Sequence, residues 1–214
     1  MKHRLLSLLF PPRCVLCRKL LREAETGLCH KCRQNTPEVT QIKNHIPFVA
    51  RSTALWYYKD DARKSLLRFK FYNRRGYAGT YGALLAMKIS KDIPDFDLLS
   101  WIPIAPQRRR RRGYDQVQLI AQAVCAELDL PLVPTLRKIR NAPPQSSIRS
   151  PAARKANILG AYTAENKEQL QGKRILLLDD ILTTGATSSE AARTLLIAGA
   201  KEVYLATMAT ASHK

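Results

Sequence analysis

The sequence predicts an α/β protein with a mostly parallel sheet covered by helices on both faces, preceded by a small four-cysteine module. Three observations predict this fold. After residue 46, short apolar segments of strand length alternate with amphipathic segments of helix length. Residues 175–178 are all large and apolar, which is typical of a central strand buried on both faces. Four of the five cysteines lie within residues 14–32, ahead of the alternating segments.

Length and composition are those of a globular chain. With 214 residues, 45% of them hydrophobic and 25% charged, the protein suits one domain with a small appendage. No apolar run reaches the roughly 18 residues of a membrane-spanning helix, so we expect no membrane span. The apolar start at residues 5–10 is too short for a signal peptide and has no small-residue cleavage site, so a short helix packed on the body is expected there.

Charge is the strongest signal in the composition. Lysine and arginine number 36 against 17 acidic residues, a formal net charge of +19. This excess predicts attraction to a polyanion, which includes nucleic acid, a phosphorylated small molecule and an anionic membrane surface. A basic surface that only maintains solubility is the alternative, and net charge alone does not choose among them.

The cysteines follow the spacing of a zinc site. Cys14 and Cys17 form one C-x2-C pair, and Cys29 and Cys32 form another eleven residues later. Two such turns aim four thiolates at one Zn²⁺, and a closed shell of four sulfurs predicts a structural role. Two disulfides and an iron–sulfur cluster are the alternatives, and the lack of an export signal argues against the disulfides. The fifth cysteine, Cys125, is expected to be a buried apolar residue inside a helix.

The remaining elements follow in order behind a polar connector at residues 34–47. Strands are predicted at 52–58, 96–104, 130–134, 173–180 and 201–210. Helices are predicted at 62–68, 79–90, 117–128 and 188–198, the last closed by Gly199. Residues 59–61 are expected to form a turn, and residues 135–160 a long polar and basic excursion that is functional or mobile.

The stretch ILLLDDILTTGAT at residues 175–187 places two acids beside an anion-binding loop. Asp179 and Asp180 are expected at the carboxyl end of the strand, followed by a loop over 181–187. Gly185 lets backbone N–H groups turn inward, and Thr183, Thr184 and Thr187 add hydroxyls beside a helix N-terminus. The acids would repel a phosphate, so they are expected to face sugar hydroxyls or hydrated Mg²⁺. This combination suggests a ribose with a 5-phosphate.

Two other interpretations of this stretch compete with that one. A Walker B strand of an ATPase needs a P-loop elsewhere, and the only Gly-Lys, Gly172-Lys173, is followed by Arg174. A purely structural helix cap, with Thr187 capping and the acids at the surface, is the second.

The stretch resembles the PRPP-binding motif of type I phosphoribosyltransferases, and the order of cysteine module and then this domain resembles the ComF family, associated with natural competence and DNA utilisation in bacteria. Further stretches carry the resemblance: ALWYYKDDARKSLLRFKF, WIPIAP followed by RRGYDQ, and the spacing of Gln145, Arg154 and Asn157 before Ala161-Tyr162. The chain departs from the family at Tyr114-Asp115, which replaces Phe-Asn.

The resemblance implies a type I phosphoribosyltransferase-like sheet and a role for each motif residue. Asp179 and Asp180 would bind the ribose 2- and 3-hydroxyls and, through them, Mg²⁺. The turn at Pro103 would bind the pyrophosphate. The resemblance also implies a cationic ribosyl transition state, with Mg²⁺ and basic groups neutralising the leaving pyrophosphate. The 5-phosphate would be held by Thr183, Thr184, Gly185, Ala186 and Thr187.

The run Arg108, Arg109, Arg110, Arg111 and Arg112 exceeds what the motif needs. These arginines are expected to reach pyrophosphate, to contact nucleic-acid phosphates, or to form a solvated loop. Tyrosines interleave with basic residues between 57 and 77, a mix that can bind single-stranded DNA but more often reflects half-buried packing.

Two hypotheses of function follow from the sequence. The first is a Mg²⁺-dependent phosphoribosyltransferase that uses PRPP and an unidentified acceptor. The second is a non-catalytic, single-stranded-DNA-binding competence factor with PRPP as a regulatory or structural ligand. For either one we expect a cytoplasmic protein with residues 1–45 as the zinc module and connector, residues 46–214 as the PRPP-binding domain, and other competence proteins as partners.

Overall fold

The computed structural model describes residues 11–42, 45–139 and 158–211. The strands in these ranges are β1 (Arg51–Tyr57), β2 (Leu98–Trp101), β3 (Leu136–Lys138), β4 (Tyr162–Ala164), β5 (Arg174–Leu182) and β6 (Glu202–Thr210). The helices are α1 (His30–Asn35), α2 (Asp60–Phe71), α3 (Tyr77–Asp92), α4 (Pro106–Arg112), α5 (Gln116–Leu128) and α6 (Ala186–Ile197), with a 3-10 turn at Lys167–Gln169. Within the described ranges, every helix is too short or too polar to cross a lipid bilayer.

Four strands form one parallel sheet in the order β1-β6-β5-β2. β5 is central and pairs with β6 on one side and with β2 on the other. β3 and β4 form a separate antiparallel pair. Since the four strands of the main sheet run in the same direction, their carboxyl ends meet at one edge, where ligands of such sheets bind. The predicted parallel sheet is confirmed.

The burial of β5 on both of its faces explains why its sequence is apolar without alternation. Residues Ile175 to Leu178 are completely buried. Leu176 and Leu178 pack into the core shared with α3 and α5. Ile175 and Leu177 face the second core, shared with α6. Successive side chains of a strand point to opposite faces, so a strand covered by helices on both sides needs apolar residues at every position.

Helices α3 and α5 pack against each other at a glycine. A methyl group on Gly82 would overlap Cβ of Ala123 and would lie 2.8 Å from the carbonyl carbon of the same residue. The two helices therefore approach so closely that only hydrogen fits between them at this point.

Several element boundaries differ from the prediction. α2 includes the predicted turn at 59–61 from Asp60 onward and continues to Phe71, with two acids in its first turn and basic residues in its last, where they complement the helix dipole. β5 extends to Leu182, because β6 is long enough to pair with it there. β2 is shorter than predicted, and the predicted strand at 130–134 is reduced to one bridge between Leu99 and Leu132, since Pro131 and Pro134 cannot donate to a ladder.

One of the three alternatives for the arginine run was a solvated loop. The run forms the helix α4 instead. Pro106 opens this helix, and Gly113 closes it with a left-handed φ of 77°.

The cysteine module packs directly on the sheet domain. The carbonyl oxygen of Val15 accepts hydrogen bonds from the Ser65 hydroxyl and from the Arg68 guanidinium, both on α2. Leu16 is buried in the same core as α2 and α3. The connector that follows pairs with the outer edge of β1, through a bridge between Glu38 and Trp56. The module and the sheet domain thus share one core.

Three predictions fall on parts of the chain that the structure does not describe. The helix expected at the start of the chain lies in residues 1–10. Most of the 135–160 excursion lies in residues 140–157, together with Gln145, Arg154 and Asn157.

Candidate functional site

The two acids of the motif lie in one cleft at the carboxyl edge of the sheet. Asp179 and Asp180 are the sixth and seventh residues of β5, and the amide of Asp180 donates to Oδ1 of Asp179 at 2.7 Å. The cleft has a volume of about 330 Å³. Its walls are formed by Tyr58, Lys70, Ile102, Pro103, Ile104, Arg108, Arg112, Gln116, Lys138, Ile158, Tyr162, Asp179, Asp180, Ile181, Thr183 and Thr187.

Asp180 is the centre of a hydrogen-bond network. Its Oδ2 lies 2.7 Å from Nζ of Lys70 and accepts a hydrogen bond from Nε2 of Gln116 at 3.0 Å. The other end of the Gln116 amide, Oε1, accepts from Nη1 of Arg112 at 2.8 Å. Arg112 also lies over the Phe71 ring, 4.9 Å from its centroid. The network joins α2, the α4–α5 segment and β5 around one carboxylate.

The two neighbouring carboxyl groups have opposite electrostatic environments. Burial and the charge of Asp180 raise the pKa of Asp179 to about 8. Burial also acts to raise the pKa of Asp180, but the Lys70 ammonium and the Gln116 amide outweigh it and hold that pKa below its usual value. Asp180 is therefore the ionised member of the pair at neutral pH, and Asp179 is the member that keeps a proton.

Four cationic side chains surround these two acids, so the cleft favours an anionic ligand. They come from three different parts of the chain: Lys70 from α2, Arg108 and Arg112 from α4, and Lys138 from β3. Burial and the nearby Arg108 lower the pKa of Lys138, whose Nζ donates to the Tyr162 hydroxyl at 3.2 Å.

The departure at Tyr114-Asp115 has a structural explanation. Asp115 caps the N-terminus of α5 by accepting from the amides of Val117 and Gln118, and it also accepts from the amide of Ile104 at 3.1 Å. The Tyr114 hydroxyl donates to the carbonyl oxygen of Phe69 in α2. These contacts fix the turn that carries Pro103 and the start of α4, so both residues support the cleft from behind.

The predicted phosphate loop is divided between two cavities. Thr183 and Thr187 line the cleft that holds the acids. Thr184, Gly185 and Ala186 line a neighbouring, mostly apolar cavity of about 270 Å³, which Pro47, Phe48 and Leu159 also border. Gly185 has a left-handed φ of 75° immediately before α6, as a turn into a helix N-terminus requires.

The arginine run is divided in a similar way. Arg108 and Arg112 line the cleft. Arg109, Arg110 and Arg111 are exposed on the outer side of α4. A seven-residue helix spreads its side chains around its axis, so five adjacent arginines cannot all face one site.

The cleft residues that were not predicted from the sequence include Lys70, Gln116, Lys138 and Tyr162. Lys70 and Gln116 lie inside stretches that carry the family resemblance, RFKF and RRGYDQ, but no local pattern indicates that their side chains meet at Asp180. Lys138 and Tyr162 pair across the small sheet formed by β3 and β4, which brings them over the cleft.

The four cysteines of the module form a closed cluster. Their sulfur atoms all lie within 4.8 Å of one another, and Sγ of Cys17 is 3.6 Å from Sγ of Cys29. A tetrahedral site with Zn–S bonds of about 2.3 Å places its sulfurs about 3.8 Å apart, so the arrangement fits Zn²⁺. Cys125 lies in α5 and is buried outside this cluster, as predicted.

His30 is not placed as a ligand of this cluster. Its side chain is exposed, and its backbone amide donates to Oε1 of Glu25 at 2.6 Å. The module thus offers four sulfur ligands and no open position, as a structural zinc site requires.

Both parts of the chain are similar to known protein families. The Phosphoribosyl transferase domain family matches residues 118–214, and the Double zinc ribbon domain family matches residues 5–43. Competence protein F of Haemophilus influenzae is 26% identical over 90% of this chain and 94% of its own length. Competence protein ComFC of Bacillus subtilis is 28% identical over 87% of this chain and 78% of its own length. DNA utilization protein YhgH of Escherichia coli is 25% identical over 91% of this chain and 95% of its own length. The predicted phosphoribosyltransferase-like sheet and zinc module are confirmed.

Proposed function

We propose that the chain is a ComF-type protein that binds PRPP and acts in DNA uptake or utilisation. The matches to a phosphoribosyltransferase domain and to a double zinc ribbon, and the relatives named Competence protein F, ComFC and YhgH, support this proposal. We place it in the cytoplasm, where PRPP and incoming single-stranded DNA would both be available and where other competence proteins would be its partners.

One observation carries the proposal of PRPP binding: two carboxyl groups and four cations share one cleft with Thr183 and Thr187. PRPP carries a diol at one side and phosphate groups at both ends, so it needs acceptors for hydroxyls and cations for phosphates in the same site. Asp179 and Asp180 would accept from the ribose hydroxyls, while Thr183, Thr187 and the loop between them would bind the 5-phosphate. The diphosphate would then lie toward Pro103, Arg108 and Arg112.

Magnesium fits the same cleft. Carboxylates and sugar hydroxyls are oxygen ligands, which Mg²⁺ prefers, and the ion usually binds together with substrate phosphates. When bound, Mg²⁺ would neutralise charge that develops on a leaving diphosphate. Asp179 and Asp180 are the residues that would hold it through the diol.

For the reaction, we propose transfer of the phosphoribosyl group to an acceptor that is not identified. The cations of the cleft would stabilise the departing diphosphate, and the ionised Asp180 would lie beside the positive charge that develops on the ribose. The alternative is a binding protein that holds PRPP without turning it over, since one fold can serve many functions. Release of pyrophosphate in the presence of candidate bases separates the two, because a binding protein releases none.

Binding of PRPP is tested by the double change Asp179→Asn and Asp180→Asn. Titration calorimetry with PRPP and Mg²⁺ is expected to show that affinity falls by at least about tenfold, because the charge-assisted hydrogen bond of the ionised Asp180 contributes about 1.5–3 kcal/mol. The matched control changes two exposed acids outside the cleft, Asp95→Asn and Glu127→Gln, and keeps wild-type affinity. Equal affinity of the first double variant and the wild type would remove the site assignment.

A second proposal, single-stranded DNA binding, rests on the surface beside the cleft. Phe71 is 56% exposed and Tyr72 is 70% exposed, next to the exposed Arg74 and Arg75. Exposed aromatic rings stack on bases, and arginines neutralise phosphates. The outward arginines of α4, Arg109 to Arg111, add to this basic surface.

This second proposal predicts salt-sensitive binding of an oligonucleotide. Changing Arg109, Arg110 and Arg111 together to Gln is expected to weaken binding of fluorescent oligo-dT. It should also reduce the slope of log K against log[salt] by about 0.7 for each phosphate that the variant no longer neutralises. Fluorescence anisotropy over a salt series measures both. Since these arginines lie outside the cleft, PRPP affinity serves as the control and stays unchanged, and an unaltered salt slope would contradict DNA binding at α4.

A further inference from the structure

The ion pair between Lys70 and Asp180 occupies the carboxylate to which the proposed function assigns a ribose hydroxyl. Nζ of Lys70 lies 2.7 Å from Oδ2 of Asp180, and the two side chains are only 14% and 16% exposed. Gln116 donates to the same oxygen at 3.0 Å. A ribose hydroxyl that binds Oδ2 must therefore compete with a partly buried cation already in contact with it.

The cations of the cleft differ in how firmly they are held. Arg112 donates to Gln116 and stacks over Phe71, so its guanidinium is fixed from two sides. Lys70 contacts Asp180 at its charged end, and it is a flexible side chain that carries a compact charge. Lys70 also borders the same cleft as Pro103 and Arg108. The proposed function assigns the diphosphate to the part of the cleft that those two residues form.

We propose that Lys70 exchanges partners when the ligand binds: it neutralises Asp180 in the ligand-free protein and transfers to the diphosphate of the bound sugar. The inference rests on the proposed function and adds a positioning residue that sets its specificity. A sugar with a diphosphate gives Lys70 a new anionic partner, whereas ribose 5-phosphate breaks the ion pair and offers none at that end.

The same exchange governs free divalent cations. Two adjacent carboxyl groups in a cleft attract Mg²⁺, and the Lys70 ammonium lies 2.7 Å from Oδ2 of Asp180, where its charge opposes a metal ion. A metal ion can therefore bind Asp179 and Asp180 well only when the sugar diphosphate is present. Only that ligand draws the Lys70 ammonium group away from Asp180.

The test compares PRPP with ribose 5-phosphate on wild type and on Lys70→Met, by titration calorimetry in the presence of Mg²⁺. In the variant, PRPP affinity is expected to fall by at least about tenfold, because the variant cannot donate a charge-assisted hydrogen bond to the diphosphate. Ribose 5-phosphate affinity is expected to stay equal or to rise, because no ion pair must be broken. Mg²⁺ alone, without sugar, is expected to bind the variant more tightly than it binds wild type.

Two further variants keep the test decisive. Lys64→Met removes the same charge from the same helix at a side chain that is 67% exposed, and it should leave the ratio of the two affinities unchanged. Lys70→Gln, which keeps a polar donor group without the charge, is the second variant at this position and should also lower the preference for PRPP. Melting curves establish that each variant is folded.

The outcomes separate this inference from the proposal beneath it. A selective loss of PRPP affinity at Lys70 supports the exchange. Equal losses for PRPP and ribose 5-phosphate, with no gain in Mg²⁺ affinity, would mean that Lys70 only contributes general attraction or structure, and the exchange would be wrong while PRPP binding stands. Failure of wild type to bind PRPP at all would overturn the proposed function itself.

Discussion

Adjacent carboxyl groups acquire different protonation states in this cleft because only one of them has a cation in contact. Asp180 has the Lys70 ammonium at 2.7 Å, whereas Asp179 is partly buried beside a negative charge. An uncompensated buried carboxyl group lowers stability when it ionises, and such groups are common in functional sites.

The folding stability of wild type should therefore depend on Asp179. Its pKa is 3.8 in its ordinary state and about 8 in the folded protein, so between these values the folded state binds more protons than the unfolded state. Stability falls as pH rises through that window. Asp179→Asn removes the effect, and its melting temperature is expected to exceed that of wild type by an amount that grows from pH 5 to pH 8.5.

The control for this prediction is a variant at a carboxyl group whose effect on stability changes with pH in the opposite direction. Hydrogen bonding and ion pairing with Arg174 lower the pKa of Asp97, so this carboxylate stabilises the fold above its ordinary pKa, and the contribution disappears at acid pH. Asp97→Asn is expected to be less stable than wild type at neutral pH and to approach it below pH 4. Parallel pH profiles for the two variants would contradict the assignment of Asp179.

At the residue scale, the sequence identified groups that are close along the chain. The C-x2-C pairs and the Asp-Asp-x-x-Thr-Thr-Gly stretch are local patterns whose chemistry follows from spacing. Gln116 and Asp180 are 64 positions apart, and their contact depends on how α5 and β5 pack. Residue type alone gives no signal for such a contact, which is why the network around Asp180 was not predicted.

At the scale of elements, periodicity predicted the strands and helices well and their ends less well. The apolar segment at 175–178 had to be a buried strand, but its extension to Leu182 depends on pairing with β6. The arginine run has no apolar periodicity, so its helix was not predicted. That helix is set by Pro106, Gly113 and the buried Asp115 behind it.

The close packing of α3 on α5 gives a prediction at this scale. Gly82→Ala is expected to lower the free energy of unfolding by about 1–3 kcal/mol, because the new methyl group overlaps Cβ of Ala123 and the helices must separate. Gly79→Ala, in the same helix with open space around it, is expected to raise stability by about 0.5–1 kcal/mol, since alanine favours a helix. Urea denaturation of the two variants measures the difference, and equal effects would contradict the close approach of the helices.

At the scale of the whole molecule, the zinc module belongs to the main core. Cys14, Cys29 and Cys32 are buried in the same cluster as Leu66 of α2 and Leu85 of α3. Loss of the metal should therefore weaken the packing of the sheet domain as well as that of the module.

Zinc removal tests this coupling. We expect about one zinc per chain by elemental analysis, and Cys32→Ser is expected to lose the metal and to lower the melting temperature in one transition that includes the sheet domain. Cys125→Ala, outside the cluster, keeps the metal and serves as the matched control. An iron signal, or a melting temperature of the sheet domain that is independent of zinc, would contradict the prediction.

The connector after the module has a second consequence. Through Glu38 and Val39 it hydrogen-bonds to the outer side of β1 at Trp56 and Leu55, where the sheet would otherwise end in unpaired backbone groups. Exposed strand edges recruit strands from other molecules. A chain that loses the module and connector would thus be prone to pair with its own copies, and proteolysis in this segment would appear first as aggregation.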